Sequence, residues 1–178
     1  RLLADLGPTN TGDPGVLESY IRFGALRYPA RQTALVISNH GSGFYVPPDM
    51  QSQHAPRQRR RRPPVFHTTR EHLQEIQPAA RAIAYDDTAA DCLDNRELKR
   101  VLATAHRALG RKVDLVGMDA CLMTMLEVAY QLRDHARVLV GSEEVEPGPG
   151  WPHAAILGDL TKRPAMTGPE LGTVIVQR

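Results

Sequence analysis

The chain has 178 residues, of which 42% are hydrophobic and 24% are charged. This composition is typical of one globular domain and excludes a disordered chain. No apolar run approaches the roughly 20 residues that cross a bilayer, so we expect no membrane segment. The two cysteines, Cys92 and Cys121, are too few for a disulfide scaffold or a four-cysteine zinc site. Because the sequence does not begin with methionine, we expect it to be a fragment.

The net charge of +2 is unevenly distributed along the chain. Five arginines lie within six residues, and without them the charge of +2 would become −3. The surrounding stretch, at about 45–80, is rich in proline and poor in periodic apolar positions, which predicts a long exposed loop. The chain is therefore a near-neutral domain with one basic segment. The arginine segment comprises Arg57, Arg59, Arg60, Arg61 and Arg62.

The first half of the chain predicts a helix and two strands. Asp13 is a suitable N-cap for a helix over 14–27, with proline at its first position. The apolar, partly β-branched run at 33–38 is typical of a buried strand, and it ends at the glycine-containing loop 39–43. After the proline-rich stretch, residues 81–85 predict the next strand.

The second half continues the alternation of helices and strands. A helix is predicted over 95–108, where Asp94 and Glu97 have capping-box spacing and Gly110 is a suitable stop. Such alternation favours a mostly parallel sheet with helices on both faces. The remaining predicted elements are a strand at 112–117, a helix at 122–133, a strand at 137–140 and a helix starting near Pro169.

Two reactive side chains follow predicted strands. His40 comes after the first strand and Cys121 after the strand at 112–117, 81 residues later in the chain. Ligands of parallel α/β sheets collect beyond the carboxyl ends of the strands, where the two side chains could share one rim. Such a pair performs nucleophilic catalysis, in which a thiolate attacks a carbonyl and an imidazole protonates the leaving amine. The alternatives are a core cysteine and a loop histidine without catalytic roles.

The residues around this pair suit the same chemistry. Cys121 directly precedes a predicted helix, whose partial positive charge would favour the thiolate. Gly41 would let the backbone approach a substrate, and the N–H groups of Gly41 and Cys121 are candidate oxyanion donors. Cys92 lies in a polar stretch and is expected to have a structural or incidental role.

An ordered set of motifs, from about Asn10 to beyond Trp151, resembles the clostripain family of cysteine peptidases. That family is grouped with caspases, legumains, separase and gingipains. The resemblance implies one partial peptidase domain over 1–178, an α/β fold of the caspase-like three-layer α/β/α type, and a catalytic dyad of His40 and Cys121. The motifs are Asn39-His40-Gly41-Ser42-Gly43-Phe44, Asp86-Asp87, Val116-Gly117-Met118-Asp119-Ala120-Cys121-Leu122-Met123, Glu127-Val128-Ala129-Tyr130, Val140-Gly141-Ser142-Glu143-Glu144 and Pro147-Gly148-Pro149-Gly150-Trp151-Pro152.

The resemblance also implies cleavage after arginine or lysine. Asp119, two residues before the cysteine, would line the primary specificity pocket, where a carboxylate can pair bidentately with a guanidinium group; a helix cap is the alternative role. Ser142 and Glu143 are assigned to substrate binding. The acidic loop of Glu143, Glu144 and Glu146 would add negative potential near the entrance, unless it is an ordinary solvated loop. Trp151 is expected either to wall the pocket or to pack in the core.

The family matures by cutting a loop between the catalytic histidine and cysteine. We therefore expect self-processing in the arginine segment, because it offers the preferred residue on an exposed stretch. A polyanion-binding patch or a basic loop without a role are the alternatives. Since only Phe66 is close by for base stacking, we expect no nucleic-acid partner.

No cofactor or metal site is predicted from the residues themselves. The stretch 86–97 lacks the glycine and the spacing of an EF-hand loop, so calcium is suggested by the resemblance alone. The expected partners are protein or peptide substrates with basic residues. A bacterial origin, with secretion or a cell-envelope location, likewise follows only from the resemblance. The alternative function is an inactive binding or scaffold domain on the same fold.

Overall fold

The computed structural model describes residues 5–43, 83–86 and 88–178, so the predicted loop at about 45–80 and its arginine segment lie outside the described residues. Helices and strands alternate over most of the described chain. In chain order the elements are α1 (Pro14–Arg27), β1 (Ala34–Ser38), β2 (Ile83–Asp86), β3 (Asp91–Leu93), α2 (Asn95–Leu109), β4 (Leu115–Asp119), α3 (Leu126–Leu132), β5 (Leu139–Gly141), α4 (His153–Lys162) and α5 (Gly168–Gln177).

The main sheet has the order β1-β4-β5 and is parallel throughout the described residues. In its register Ile37 pairs with Met118 and Gly117 with Val140. A separate antiparallel pair, β2 and β3, was predicted only in its first strand. It meets the loop after β1 through an isolated bridge between Gly41 and Ile83. The prediction of a mostly parallel sheet is confirmed.

Each face of the main sheet is covered by its own helices. Successive side chains of a strand point to opposite faces, and Val116 and Met118 belong to one hydrophobic core while Leu115 belongs to the other. The first core contains side chains of α1, α2 and α3, and the second contains side chains of α4 and α5. The caspase-like α/β/α arrangement expected from the resemblance is confirmed.

Helix α2 shows how local sequence fixes an element. The Asp94 carboxylate accepts hydrogen bonds from the N–H groups of Arg96 and Glu97, and the Glu97 carboxylate accepts one from the N–H of Asp94. The two reciprocal hydrogen bonds of a capping box are thus both formed. At the other end Gly110 takes the left-handed conformation, with φ of 67°, which glycine adopts without steric cost. The observed helix agrees with its prediction to within one residue.

The helix predicted from Leu122 begins four residues later, at Leu126. Leu122 has φ of +64°, which is incompatible with a right-handed helix. The N–H of Leu122 donates to Glu144, and the N–H of Thr124 donates to Ser142. Because these backbone groups bond to the loop after β5, they do not start a helical ladder.

Two short elements were missed from the sequence, namely β3 and α4. Cys92 lies in β3, where its side chain is buried, so the structural role expected for it agrees with its position. No helix in the described ranges is both long enough and apolar enough to span a bilayer.

Candidate active site

A cavity of about 410 Å³ lies at the carboxyl ends of β1 and β4. His40 follows β1 and Cys121 follows β4, and both side chains belong to residues that line this cavity. The strand ends thus bring the two sequence-predicted reactive residues to one site. The cavity is lined by Ser38, Asn39, His40, Gly41, Asp119, Ala120, Cys121, Leu122 and residues 145–150.

Asn39, which the sequence analysis did not single out, holds the loop that carries His40. Its backbone N–H donates to the carbonyl oxygen of Asp119 at 3.1 Å, which extends the contact between β1 and β4. Its side-chain oxygen accepts from the N–H groups of His40, at 2.7 Å, and Tyr85, at 2.9 Å. Its side-chain nitrogen donates to the carbonyl oxygen of Tyr85. Asn39 therefore ties the histidine loop to β2.

The thiol of Cys121 is half-buried, and its sulfur accepts a hydrogen bond of 3.3 Å from the backbone N–H of Glu146. Four residues separate Cys121 from the start of α3, which has only seven residues. The expectation that the partial positive charge of a helix N-terminus favours the Cys121 thiolate is therefore wrong. The loop after β5 supplies the local hydrogen-bond donor instead.

Gly41 allows the histidine loop to pack directly on the cysteine loop. A Cβ at this position would overlap the carbonyl oxygen of Cys121 and lie 2.6 Å from Cγ of Met123. The space beside its Cα is thus filled by the protein itself. Close approach between two loops is thus a reason for this glycine that the sequence analysis did not give, and the expected approach to a substrate stays a prediction.

Asp119 is 4% exposed, and its carboxylate is hydrogen-bonded to Ser38, Trp151, His153 and the carboxyl group of Glu146. The Ser38 hydroxyl donates to Oδ2 at 2.9 Å, His153 Nε2 lies 2.8 Å from the same oxygen, and the N–H of Trp151 donates to Oδ1 at 3.1 Å. Burial alone would raise the pKa of Asp119, but the hydrogen bonds outweigh it and lower that pKa below its usual value. Asp119 ends β4 and caps no helix, so the capping alternative is wrong.

Glu146 is the second carboxyl group of the cavity. Its Oε1 accepts a hydrogen bond of 3.1 Å from Nε1 of Trp151, and its carboxyl group forms a side-chain hydrogen bond with the carboxyl group of Asp119. Burial raises the pKa of Glu146, the Trp151 hydrogen bond opposes this, and the neighbouring Asp119 carboxyl raises the pKa further. Of the two carboxyl groups, Glu146 is therefore the one that holds a proton more readily.

The other residues assigned to substrate binding lie elsewhere. The carbonyl oxygen of Ser142 accepts from Thr124 N–H and its hydroxyl accepts from Glu144 N–H, and neither Ser142 nor the exposed Glu143 lines the cavity. The ring of Trp151 packs with the α4 and α5 core, and a Cβ at Gly117 would lie 3.0 Å from it. The core alternative for Trp151 therefore agrees with the structure.

His153 was missed because it opens the helix that the sequence analysis did not predict. Pro152 followed by an apolar run at 154–157 was the available signal. For metals, the described ranges contain no group of three histidine, cysteine or acidic side chains placed to hold an ion. Calcium therefore stays a suggestion from the family resemblance.

Comparison with known proteins places these observations in a family. The sequence model described as the clostripain family matches residues 70–178. Clostripain from Hathewaya histolytica is 32% identical over 158 residues, which cover 83% of this chain and 24% of clostripain. The chain thus spans about a quarter of the length of that curated relative.

Solved structures with similar folds include two C11 proteases. A secreted C11 cysteine protease from Bacteroides thetaiotaomicron, in complex with an irreversible peptide inhibitor, has a TM-score of 0.64 at 22% identity, covering 98% of this chain and 38% of that one. An inactive zymogen C11 protease from Parabacteroides distasonis has a TM-score of 0.57 at 23% identity, covering 89% and 34%. These similarities support the fold described above.

Proposed function

The chain belongs to the clostripain family, and from this premise we propose that it carries the catalytic centre of a cysteine endopeptidase that cleaves after basic residues. Cys121 is the nucleophile and His40 the general acid and base. The observation that carries the proposal is the shared cavity, in which these two residues lie with the carboxyl groups of Asp119 and Glu146.

The reaction follows from the groups that line the cavity. The Cys121 thiolate attacks the scissile carbonyl carbon, and protonated His40 gives its proton to the leaving amine. Water then hydrolyses the thioester while His40 accepts the proton of that water. The N–H of Glu146 favours the thiolate because it donates to the sulfur. The N–H groups of Gly41 and Cys121 are the proposed oxyanion donors, each contributing about 3 kcal/mol to transition-state stabilisation.

A preference for arginine or lysine is supported by the charge of the cavity. Asp119 is buried and its pKa is lowered, so it is ionised at neutral pH. Among the described residues that line the cavity there is no lysine or arginine to neutralise it. A cationic substrate side chain would therefore complete the charge balance. The substrates are then proteins or peptides with basic residues.

Two further parts of the proposal concern maturation and location. Self-cleavage in the arginine segment (Arg57, Arg59, Arg60, Arg61 and Arg62) would use the enzyme's own specificity. The Parabacteroides distasonis relative is described as an inactive zymogen, which supports a maturation step. The description of the Bacteroides thetaiotaomicron relative as secreted supports export.

The test uses the purified full-length protein with fluorogenic peptides that end in arginine, lysine, aspartate or asparagine before the leaving group. We expect hydrolysis after arginine and lysine, and a loss of at least about 1,000-fold in kcat/KM in both Cys121→Ala and His40→Ala. Cys92→Ala is the matched control, because this second thiol does not line the cavity, and it should retain activity. Sequencing new termini in the same preparations should show cleavage in the arginine segment that Cys121→Ala abolishes.

Other outcomes would contradict individual parts of the proposal. Equal rates after aspartate or asparagine would refute the role of the acidic cavity. Continued loop cleavage in Cys121→Ala would assign that processing to another protease. No hydrolysis of any peptide by the wild-type protein would favour an inactive binding or scaffold domain on this fold.

A further inference from the structure

We propose that His153 controls the charge of the cavity. As a neutral imidazole it orients the Asp119 carboxylate for a cationic substrate, and as an imidazolium it neutralises that carboxylate. Asp119 remains the group that meets the substrate, and His153 acts through it as a positioning residue. This inference rests on the proposed peptidase function and makes it more specific, because the preference for a cationic side chain should then weaken in mild acid.

The turn that leads into α4 holds both oxygens of the Asp119 carboxylate. The N–H of Trp151 donates to Oδ1 at 3.1 Å, and Nε2 of His153 lies 2.8 Å from Oδ2. The turn is itself fixed, because the N–H of His153 donates to the carbonyl oxygen of Trp151 at 2.8 Å and the two ring centroids are 6.3 Å apart. Residues 151–153 therefore set the orientation of the carboxylate.

The contact between His153 and Asp119 persists in either charge state of the imidazole. An ionised carboxylate only accepts hydrogen bonds, so Nε2 of His153 carries the hydrogen. In the neutral imidazole this bond leaves the negative charge of Asp119 uncompensated. A second proton on Nδ1 retains the bond and places a positive charge beside the carboxylate. The geometry thus stays while the net charge of the pair is lost.

His153 is open to solvent but lies outside the cavity. Its side chain is 46% exposed, whereas that of Asp119 is 3% exposed. Among the described residues that line the cavity His153 is not found, and it reaches Asp119 from the start of α4. Its protonation would therefore follow the pH of the solvent without filling the space of a substrate side chain. The imidazolium would compete with a cationic substrate through charge alone.

Two carboxyl groups face this contact. Asp119 lies on β4, and the Glu146 carboxyl group bonds to Asp119 and to Nε1 of Trp151. Both carboxyl groups can also take up protons in acid, so their effect has to be separated from that of His153. The acidic groups of α4 and α5 are bonded elsewhere, since Asp159 pairs with Lys162 and Arg178 and Glu170 bonds to Thr167.

A kinetic comparison of charged and neutral substrates tests the inference. On the full-length protein, kcat/KM is measured for an arginine peptide and for its citrulline analogue, a neutral isostere, at about pH 8 and about pH 5.5, because histidine changes its charge in this range. The wild-type ratio of arginine to citrulline should fall at least about tenfold between these pH values. The ratio cancels the titration of His40 and Cys121, which affects both peptides.

Variants of His153 assign the change to this side chain. His153→Gln keeps a side-chain donor but cannot become charged, so its ratio should fall by less than about threefold. His153→Lys carries a permanent charge, and its ratio should lie at least about tenfold below wild type already at about pH 8. His106→Gln is the matched control, because this histidine lies on α2 and contacts His135 instead of Asp119. It should behave as wild type.

A binding measurement separates the inference from catalysis. In a Cys121→Ala background of the full-length protein, calorimetry with N-acetyl-arginine amide should show weaker binding in acid, and His153→Gln should remove most of that pH dependence. N-acetyl-citrulline amide should bind equally at both pH values. This pattern without hydrolysis of any peptide would refute the proposed peptidase function and retain the role of His153 for a binding site.

Three results would overturn the inference while leaving the peptidase function intact. The first is a wild-type ratio that does not change between the two pH values. The second is an equal fall in wild type and His153→Gln, which would assign the pH dependence to Asp119 and Glu146. The third is an equal loss for both peptides in the His153 variants, which would indicate a merely structural role. If His153→Gln fails to fold, a ratio in His153→Lys within about twofold of wild type would likewise overturn it.

Discussion

At position 41 the lack of a side chain lets the histidine and cysteine loops meet. Gly41→Ala places a methyl group where the carbonyl oxygen of Cys121 and the side chain of Met123 now lie. Since the sulfur is carried by the displaced loop, we expect a loss of about a hundredfold in kcat/KM. Kinetics on an arginine peptide would measure it, together with the alkylation rate of Cys121 by iodoacetamide.

Gly24→Ala provides the control for this substitution. Gly24 lies inside α1, and a Cβ there would meet nothing within 4 Å. The variant should keep full activity and gain roughly 0.5–1 kcal/mol in the free energy of unfolding, because alanine restricts the unfolded chain and favours helix. Wild-type activity in Gly41→Ala would show that the two loops have room to separate.

Some residues of the candidate site could be predicted from a single sequence, and others could not. His40 and Cys121 were found because each is a reactive residue at a predicted strand end, and the parallel sheet brings such ends together. The hydrogen bonds to Asn39, His153 and Glu146 depend on which loops meet in space. No local spacing encodes those contacts. The sequence analysis therefore assigned Ser142 and Glu143 to substrate binding, whereas Glu146 is the acidic residue of that loop that lines the cavity.

Helix α2 allows a test of how much its N-cap residue, Asp94, stabilises the fold. Asp94→Ala removes the acceptor for the N–H groups of Arg96 and Glu97 at the start of the helix. We expect a loss of about 1 kcal/mol in the free energy of unfolding, measured by urea denaturation. Asp94→Asn retains a side-chain acceptor and should remain close to wild type. Equal losses in the two variants would mean that the charge of Asp94, rather than the cap, stabilises the helix.

The elements that were predicted well are those whose ends carry such signals. Helices α1 and α2 have a capping aspartate, a first-turn proline or a terminal glycine, and their bounds agree with the prediction. Helix α4 has Pro152 at its N-cap position without a side-chain cap, and it was missed. Helix α3 begins late because the turn after Cys121 bonds to another loop. Long-range contacts of this kind override local propensity.

At the scale of the whole molecule, two histidines join α2 to the segment after α3. Nδ1 of His106 lies 3.3 Å from Nδ1 of His135, a contact in which one nitrogen donates and the other accepts, so at least one of the two rings is neutral. Burial lowers the pKa of His135, and so does the charge of His106. Lys99 and Lys112 act in the same direction, whereas Asp134 opposes them.

This pair predicts a loss of stability in mild acid. The unfolded chain takes up the proton near the ordinary pKa of 6.5, while the folded chain resists it until lower pH. Stability is therefore retained above 6.5 and falls as pH decreases toward the lowered pKa of the folded state. Urea denaturation at several pH values between about 7.5 and 5 would measure the decline.

Variants of either histidine identify the source of that decline. His135→Gln should flatten the pH dependence most, because it removes the group that titrates, whereas His106→Gln should flatten it less, because burial still lowers the pKa of His135. The double variant should then add little to His135→Gln alone. A decline that is as steep in the double variant as in wild type would rule out the pair as its cause.

Trp151 connects parts of the molecule that belong to different layers. Its ring packs with α4 and α5, its ring nitrogen bonds to Glu146, and the backbone of Glu146 bonds to the sulfur of Cys121. A change in how those two helices pack on the sheet would thus reach the sulfur of Cys121. On heating, local loosening of that helical layer would abolish the proposed activity while the rest of the molecule is still folded.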